Sequence, residues 1–348
     1  MLLLLYVILF ALAIYGAEIN LKGFYDPFDR GVTSSIKGFF IGSVFISHLT
    51  GYIESMGYVS RGMGDYIFHC LRNIQGQLIV VMFLFYSGYG VFVAAKERGI
   101  EYVNNMPKRR ILNTLLNFNV AVSFFAVVML IRGESFSFAR FIFSLFAWDS
   151  MGNSNWYIFV ILVCYVVAWV VLKLCRERER IRMFGGMICC LAIIGIIILL
   201  SLAKAEWWYN TLMAFPLGGL CAEFRDDIEG YVRRNYWRCL LGASIVLCLF
   251  VGWFMKHECG IFYNFTAVVF ALFVMIASMK IKVGNQVLFW MGINLFPLYI
   301  YQRMPMRLFE ELFNGHMYGC GLWGYIISCL AVSSLIAVCY RYIEIKLK

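Results

Sequence analysis

Long apolar runs separated by short polar connections fill the chain from end to end. Each run holds roughly the twenty residues that a helix needs to cross a bilayer, whereas the strands of a barrel would be about half as long and would alternate in polarity. Backbone groups inside a bilayer must be paired within the protein, so the pattern predicts an all-α, polytopic transmembrane helix bundle with about 11 helices. The candidate spans are approximately 2–17, 37–53, 77–95, 111–131, 155–172, 184–202, 208–224, 239–255, 261–279, 286–302 and 321–340.

The connections are short and no low-complexity tract interrupts them, so residues 1–348 are predicted to form a single transmembrane domain. The weakest span is 208–224, which is short and contains Pro216, Gly218 and Gly219; such residues are tolerated where neighbouring helices satisfy the backbone. The first run, within residues 1–20, could be a signal peptide. It lacks a basic start and a convincing small-residue cleavage site, which favours an extra, uncleaved N-terminal helix.

Composition agrees with a membrane protein of the plasma or inner membrane, surrounded by lipids. Of 348 residues, 62% are hydrophobic and only 14% are charged, too few to cover a water-soluble surface. The net charge of +10 would suggest a nucleic-acid partner in a soluble protein, but here it is the expected excess of cytoplasmic Lys and Arg, and we predict no nucleic-acid binding. Most of the 12 cysteines lie in apolar runs without the spacing of a zinc site, so we predict no metal.

The basic residues predict the orientation of the chain. When successive connections are assigned to alternate sides, one side collects 22 Lys and Arg and the other collects 8, which accounts for all 30. Cytoplasmic connections carry the excess of basic residues. The N-terminus is therefore predicted outside, the C-terminus in the cytoplasm, and the connections 54–76 and 303–320 outside.

His48 is the histidine that lies inside a predicted span, in the segment FISHLTGYI. It follows Lys37 by eleven residues, which places it roughly 16 Å along the helix. An ionisable residue at that depth is a candidate functional group, and a neutral imidazole can act as a general base near neutral pH. The alternative is a histidine that only hydrogen-bonds a neighbouring helix.

Lys108, Arg109 and Arg110 form a basic cluster at the cytoplasmic start of a span, in MPKRRILN. Clustered cations can hold phosphate groups by charge-assisted hydrogen bonds. On the residues alone, the more ordinary interpretation is a cytoplasmic basic cluster that contacts lipid headgroups.

Two further segments carry candidate substrate-binding residues. Trp156 and Tyr157 begin a span at its outer end, where aromatic residues also serve as interfacial anchors. Gln302 and Arg303 follow the Pro297 helix at its outer end, in FPLYIYQRMPMRLF, where they would line a cavity open to the outside or anchor the helix at the lipid interface.

In this order the motifs resemble the acyltransferase-3 superfamily, the integral-membrane O-acetyltransferases of bacterial surface glycans. The resemblance covers about residues 32–345, and residues 1–20 would add one helix to a ten-helix core. The matching features are Lys37 through His48, Ser87 and Gly88 in MFLFYSGYGVF, the segment KRRILN, Trp156 with Tyr157, LYIYQRMP, and Glu344 behind the last span.

The resemblance implies an O-acyltransferase that moves an acetyl group from cytoplasmic acetyl-CoA to a hydroxyl of a cell-surface or lipid-linked glycan. In that reaction His48 would be catalytic, the Lys108–Arg110 cluster would bind coenzyme A phosphates, and Trp156, Tyr157, Gln302 and Arg303 would bind substrate. Two departures stand out: Gln302 replaces a frequent histidine, and Met106 and Pro107 stand where relatives often carry an earlier arginine. No carboxylate clearly accompanies His48, and Glu54 is a weak candidate.

Two other functions fit a polytopic membrane protein. A polysaccharide-precursor transporter or flippase would show paired, broken helices in two matching halves, and the sequence shows no internal repeat. A polysaccharide polymerase would carry a large outer loop, whereas the longest predicted outer connection has only about 24 residues.

Overall fold

The structure, a computed structural model, describes residues 1–174, 180–257 and 260–346. It is helical almost throughout, as the apolar runs predict. One two-stranded ribbon pairs β1 (Ala17–Ile19) with β2 (Ile281–Val283) in antiparallel register. The helices are α1 (Leu3–Ile14), α2 (Arg30–Ser55), α3 (Gly62–Gln75), α4 (Leu78–Met106), α5 (Asn113–Ile131), α6 (Phe138–Leu145), α7 (Trp156–Leu174), α8 (Arg180–Ile193), α9 (Ala214–Glu223), α10 (Arg225–Arg234), α11 (Tyr236–His257), α12 (Gly260–Ser278), α13 (Gln286–Ile293), α14 (Leu295–Tyr301), α15 (Arg303–Phe313) and α16 (Cys320–Lys346), with π-helical turns at Pro107–Leu112 and Ile194–Leu199 and a 3₁₀ turn at Glu206–Trp208.

Every predicted span overlaps a helix, and several helices are long enough to cross a bilayer. Within the described part of the chain, five helical stretches meet that criterion by length and composition, and the longest, Gly62–Ile131, joins α3, α4, the π-helical turn and α5. The all-α bundle is thus confirmed, whereas the count of eleven crossings stays a prediction. The other apolar helices are shorter or interrupted.

The connections meet in two groups at the two ends of α2. At one end, Ser55 contacts Glu310 at 3.4 Å, and Arg132 forms an ion pair with the same carboxylate at 3.1 Å. At the other end, Arg225 pairs with Asp26 at 2.8 Å, beside the β1–β2 ribbon. These groups match the two sides that the basic residues predict; which of them faces the cytoplasm stays a prediction.

The predicted span 208–224 is helical only from Ala214 onwards. Residues 209–213 are mostly buried but non-helical, so their backbone groups need partners elsewhere. Asn264 of α12 supplies two of them, because its side chain donates to the Tyr209 carbonyl at 3.0 Å and accepts from the Met213 N–H at 3.2 Å.

The predicted span 286–302 is also interrupted, at Asn294 between α13 and α14. The Asn294 side chain donates to the Trp290 carbonyl at 2.9 Å, which compensates part of the lost helical bonding. Three residues later Pro297, which has no N–H, lies in the first turn of α14, where that donor has no helical partner.

Two close helix crossings bring the interrupted helices against the long ones. Gly88 of α4 faces the Phe215 carbonyl of α9, and Gly218 of α9 faces the Phe85 carbonyl of α4. A β-carbon at either position would overlap backbone, so the two helices touch main chain to main chain. The crossing of α2 with α13 is built in the same way by Gly38 and Gly292. These contacts bring the broken helices close to α2 and α4, which carry His48 and Ser87.

Candidate active site

His48 lies on the unbroken helix α2. The helix starts at Arg30 because Asp29 caps it, accepting from the N–H groups of Gly31 at 2.7 Å and Val32 at 3.2 Å. It ends at Ser55, seven residues beyond His48, so the imidazole lies roughly 10 Å below that end of the helix. This agrees with the depth predicted from the sequence.

The His48 ring is half-buried and has one hydrogen-bonding partner among the described residues. Its Nε2 atom lies 3.4 Å from the Ser154 hydroxyl, whereas its Nδ1 atom is buried without a partner. The Tyr299 ring lies 6.4 Å away between centroids, and the Tyr299 hydroxyl lies beside Ser154 without a hydrogen bond to it. His48, Ser154 and Tyr299 therefore form one cluster, which we call the histidine cluster.

Glu54 does not accompany His48, contrary to the candidate role that its position suggested. Its carboxylate lies 3.7 Å from His69 and 3.9 Å from Arg72, both on α3, because the side chain at this position of α2 faces that neighbouring helix. The charged groups that act on His48 are instead the cations Arg303 and Arg72.

Three arginines fix the loop that carries Ser154. Arg140 donates twice to the Ser150 carbonyl, at 3.0 and 2.7 Å, and Arg307 donates to the Met151 carbonyl at 3.1 Å. Arg303, one turn before Arg307 on α15, donates to the Asn153 carbonyl at 3.4 Å. Arginines of α6 and α15 thus bind the backbone of residues 150–153. These contacts, distant in sequence, place Ser154 against His48.

Arg307 also binds Glu134, and the pair anchors α15 to the connection after α5. Both carboxylate oxygens accept from the same Arg307 nitrogen, at 2.6 and 2.5 Å, and Arg132 adds a third contact at 2.9 Å. The hydrogen bonds from Arg307 are the chief cause of a Glu134 pKa below that of an ordinary glutamate.

The predicted aromatic pair divides between two environments. Tyr157 is buried, and its ring packs against Tyr299 at 5.2 Å. Trp156 is half-buried, and its ring contacts Tyr157 at 6.1 Å. Tyr157 thus packs against the histidine cluster through Tyr299, and Trp156 packs against Tyr157.

Gln302 and Arg303 lie close to the histidine cluster, but Gln302 is almost fully buried. Its amide nitrogen donates to the Tyr299 carbonyl at 3.4 Å, and its amide oxygen has no partner among the described residues. Gln302 packs where α14 meets α15, so its side chain is not open to the outside in this structure, and its role in substrate binding stays a prediction. Arg303 is half-buried, and its guanidinium lies 5.6 Å from the Tyr52 ring centroid.

Two cavities lead from the histidine cluster towards the end of the bundle that is predicted to be cytoplasmic. The inner cavity, of about 150 Å³, touches Tyr299 and Tyr157 and is otherwise lined mainly by apolar side chains. The mouth cavity, of about 230 Å³, is polar and includes three asparagines and the ion pair of Arg341 with Glu344 at 3.1 Å. Thr114 and Phe296 line both cavities, so the two are neighbours along one path.

The three cations of the basic cluster lie in a π-helical turn over Pro107–Leu112 and point into different surroundings. Lys108 and Arg109 are exposed, whereas Arg110 turns inwards, donates to the Tyr102 hydroxyl at 3.3 Å and lies beside Tyr165. Tyr165 lines the inner cavity, so Arg110 is the member of the cluster that approaches the path. π-Helical turns frequently occur at functional sites.

Sequence reasoning missed three residues of the site. Ser154 and Tyr299 gave no signal of their own, although Ser154 directly precedes the predicted aromatic pair and Tyr299 lies within LYIYQRMP. Arg307 could have been paired with Arg303, because residues four apart share a helix face. Within the described ranges, no three histidine, cysteine or acidic side chains come together as a metal site.

Comparison with known proteins agrees with this arrangement. No curated protein and no solved structure matches the chain significantly. A family model described as an acyltransferase domain matches residues 34–340, which is nearly the whole chain and includes the histidine cluster, the inner cavity and the basic cluster. The chain therefore belongs to the acyltransferase-3 family of membrane proteins.

Proposed function

We propose that the protein transfers an acetyl group from cytoplasmic acetyl-CoA to a hydroxyl of a cell-surface or lipid-linked glycan. Family membership makes it an acyltransferase. The observation that supports this reaction best is the pair of neighbouring cavities that leads to Tyr299, the ring beside His48 and Ser154. A thioester donor needs such a path, since its acyl end must reach a base that is remote from the charged nucleotide end.

The residues along the path suit the parts of coenzyme A. Arg110, beside the inner cavity, and exposed Lys108 and Arg109 would hold phosphate groups by charge-assisted hydrogen bonds. The mouth carries amide side chains, including Asn294, whose buried amide oxygen has no partner in the described chain. Such amides would pair with the amides of the pantetheine arm.

His48 would act as the general base at the acyl end. It takes the proton of the attacking hydroxyl, the hydroxyl oxygen forms the ester bond, and the carbon–sulfur bond breaks. The coenzyme A thiolate then takes up the proton, so the imidazole is neutral again after each turnover. Arg303, whose guanidinium donates to the Asn153 carbonyl next to Ser154, would stabilise negative charge on the carbonyl oxygen.

The broken helices at 209–213 and at Asn294 are features that a transporter would also show. Here the non-helical backbone at 209–213 is bonded by the Asn264 side chain of α12, and the Asn294 side chain bonds the Trp290 carbonyl one turn earlier. The cavities lead to Tyr299, beside a paired histidine and serine, an arrangement that suits acyl transfer. The acyltransferase therefore remains our proposal.

Substitution of His48 tests the proposal. His48→Gln keeps a hydrogen-bonding group but cannot take up a proton, so glycan O-acetylation by the purified variant should fall by about 10²–10⁴-fold. His69→Gln is the control, because His69 lies on α3 beside Ser60 and Glu54 and away from the path. Near-normal turnover of His48→Gln, at matched expression and thermal stability, would contradict general base catalysis and reopen the transporter hypothesis.

A further inference from the structure

Ser154 and His48 are arranged as a nucleophile and its base. The Ser154 side chain is almost fully buried, and its hydroxyl lies 3.4 Å from His48 Nε2. Hydrogen bonds between catalytic groups are often long before substrate binds. A serine hydroxyl that donates to an imidazole nitrogen is the geometry in which the imidazole can withdraw the hydroxyl proton.

The surroundings do not suit a purely orienting role for Ser154. An orienting group is normally a carboxylate or a carbonyl on the imidazole nitrogen remote from the reaction. Here the remote nitrogen, Nδ1, is buried without a partner in the described chain, and Ser154 occupies Nε2, the other nitrogen.

A donor for the oxyanion of an acyl-transfer step is also present. The Nε–H of Arg303 is buried without a partner among the described residues, and the same guanidinium reaches the Asn153 carbonyl, next to Ser154. Donors that await developing negative charge are the main device by which proteins stabilise tetrahedral intermediates. The Arg303 N–H, unused in the described structure and carried by a guanidinium that bonds the residue next to Ser154, would donate to the oxyanion that attack by Ser154 creates.

The loop is fixed as tightly as a nucleophile requires. Small displacements of a reacting group reduce rates severely, so nucleophiles are held by rigid supports. Arg140, Arg303 and Arg307 bind the carbonyls of Ser150, Asn153 and Met151, all within four residues of Ser154.

We propose that Ser154 carries the acyl group as an ester between the donor and the acceptor. This rests on the proposed function, which supplies the donor. The Ser154 oxygen attacks the thioester carbonyl, His48 Nε2 takes the serine proton, and coenzyme A leaves as the thiolate and takes that proton. The acceptor hydroxyl then attacks the acyl-serine, His48 takes its proton, and Ser154 leaves as the alkoxide and recovers a proton from His48.

The two steps explain how an acyl group passes between donor and acceptor at different ends of the protein. The cavities extend from the histidine cluster towards one end of the bundle, whereas the Ser154 loop belongs to the opposite group of connections. With an acyl-serine, coenzyme A can leave along the path by which it came before the glycan is engaged. The reactants need never meet in a single complex.

Mass spectrometry of the acid-quenched protein tests the intermediate directly. Purified protein is incubated with isotope-labelled acetyl-CoA in the absence of acceptor, then digested. We expect one labelled acetyl group on the peptide that contains Ser154, absent from Ser154→Ala and from His48→Gln. Ser43→Ala is the matched control, because Ser43 is buried on α2 and its hydroxyl donates to the Phe39 carbonyl of the same helix at 3.3 Å; it should keep the label.

A cysteine at this position provides a second and independent measurement. Ser154→Cys should form a thioester, which neutral hydroxylamine cleaves, whereas the ester of the unsubstituted protein should need alkaline hydroxylamine. That change in chemistry appears only if residue 154 itself bears the acyl group. It also keeps the test decisive if Ser154→Ala fails to fold, which thermal unfolding of each variant would reveal.

The outcomes separate this inference from the proposed function. Glycan acetylation by a folded Ser154→Ala at close to the unsubstituted rate, or a label on another residue, overturns the acyl-serine and leaves the acetyltransferase standing. Failure of the unsubstituted protein to consume acetyl-CoA with or without acceptor overturns the acetyltransferase and the acyl-serine with it. Label on Ser154 that disappears when acceptor is added, together with a loss of about 10³-fold in Ser154→Ala turnover, supports both.

Discussion

Replacing Gly88 by alanine tests the close crossing of α4 and α9. A β-carbon at Gly88 would overlap the carbonyl oxygen of Phe215, which is backbone and cannot move aside as a flexible side chain can. Gly90, two residues further along α4, has open space around the same position. The two substitutions add the same atom to the same helix and differ only in what that atom meets.

The expected difference follows from this comparison. Alanine is favoured over glycine in a helix by about 0.5–1 kcal/mol, and that gain is common to both variants, so it cancels. The difference in unfolding free energy is then the cost of moving α4 away from α9 by about 1 Å. Such a gap loses a quarter to a half of the van der Waals attraction between the atoms in contact. Overpacking of this kind costs about 1–3 kcal/mol. Gly88→Ala should therefore be less stable than Gly90→Ala by about that amount.

Denaturant titration of both variants in mixed micelles measures this difference, with thermal unfolding as a second probe. Gly218→Ala, which would overlap the Phe85 carbonyl from the opposite helix, should behave like Gly88→Ala. The double variant should cost less than the sum of its parts, because one separation of the helices relieves both overlaps. If Gly88→Ala is as stable as Gly90→Ala, the backbone contact described here does not exist.

Three further predictions concern charge, donor binding and topology. The Glu134 pKa is lowered in the folded protein, so the stabilisation by the Glu134 carboxylate should be complete above the ordinary carboxyl pKa of about 4.3 and be lost as pH falls through the lowered value. Thermal unfolding measured against pH should show less acid destabilisation for Glu134→Gln. An unchanged profile would count against the Glu134–Arg307 ion pair. Neutralising Arg110 should raise the KM for acetyl-CoA more than neutralising exposed Lys108, with equal effects speaking against an inward Arg110. Membrane-impermeant labelling of single cysteines in intact cells should reach 54–76 and miss 96–110, and the reverse would overturn the predicted orientation.

Interruptions of the helices illustrate what sequence reasoning could not supply. Pro216, Gly218 and Gly219 made 208–224 a weak span, but they did not show that the helix would begin only at Ala214. That boundary depends on Asn264, which bonds the non-helical backbone from more than fifty residues away. Whether such a segment is helical depends on hydrogen-bonding partners from other parts of the chain, which the local sequence does not contain.

The basic cluster shows the same limit at a single turn. Three consecutive cations predicted one candidate region but no ranking among its residues. The π-helical turn directs Arg110 to Tyr102 and the inner cavity and leaves Lys108 exposed. Similarly, Gln302 looked like an outer polar residue, but the packing of α14 against its neighbours buries it.

By itself the sequence determined the helical class, the membrane as solvent and the position of His48 along its helix. These follow from local physics, since apolar runs must pair their backbone internally in lipid and the helical rise fixes depth from residue number. Only the tertiary structure decided which residues meet that histidine. Ser154 is 106 residues from His48 along the chain, and it reaches the ring because three arginines bind its loop. Contacts of that range depend on how all the helices pack together, a property that no local pattern encodes.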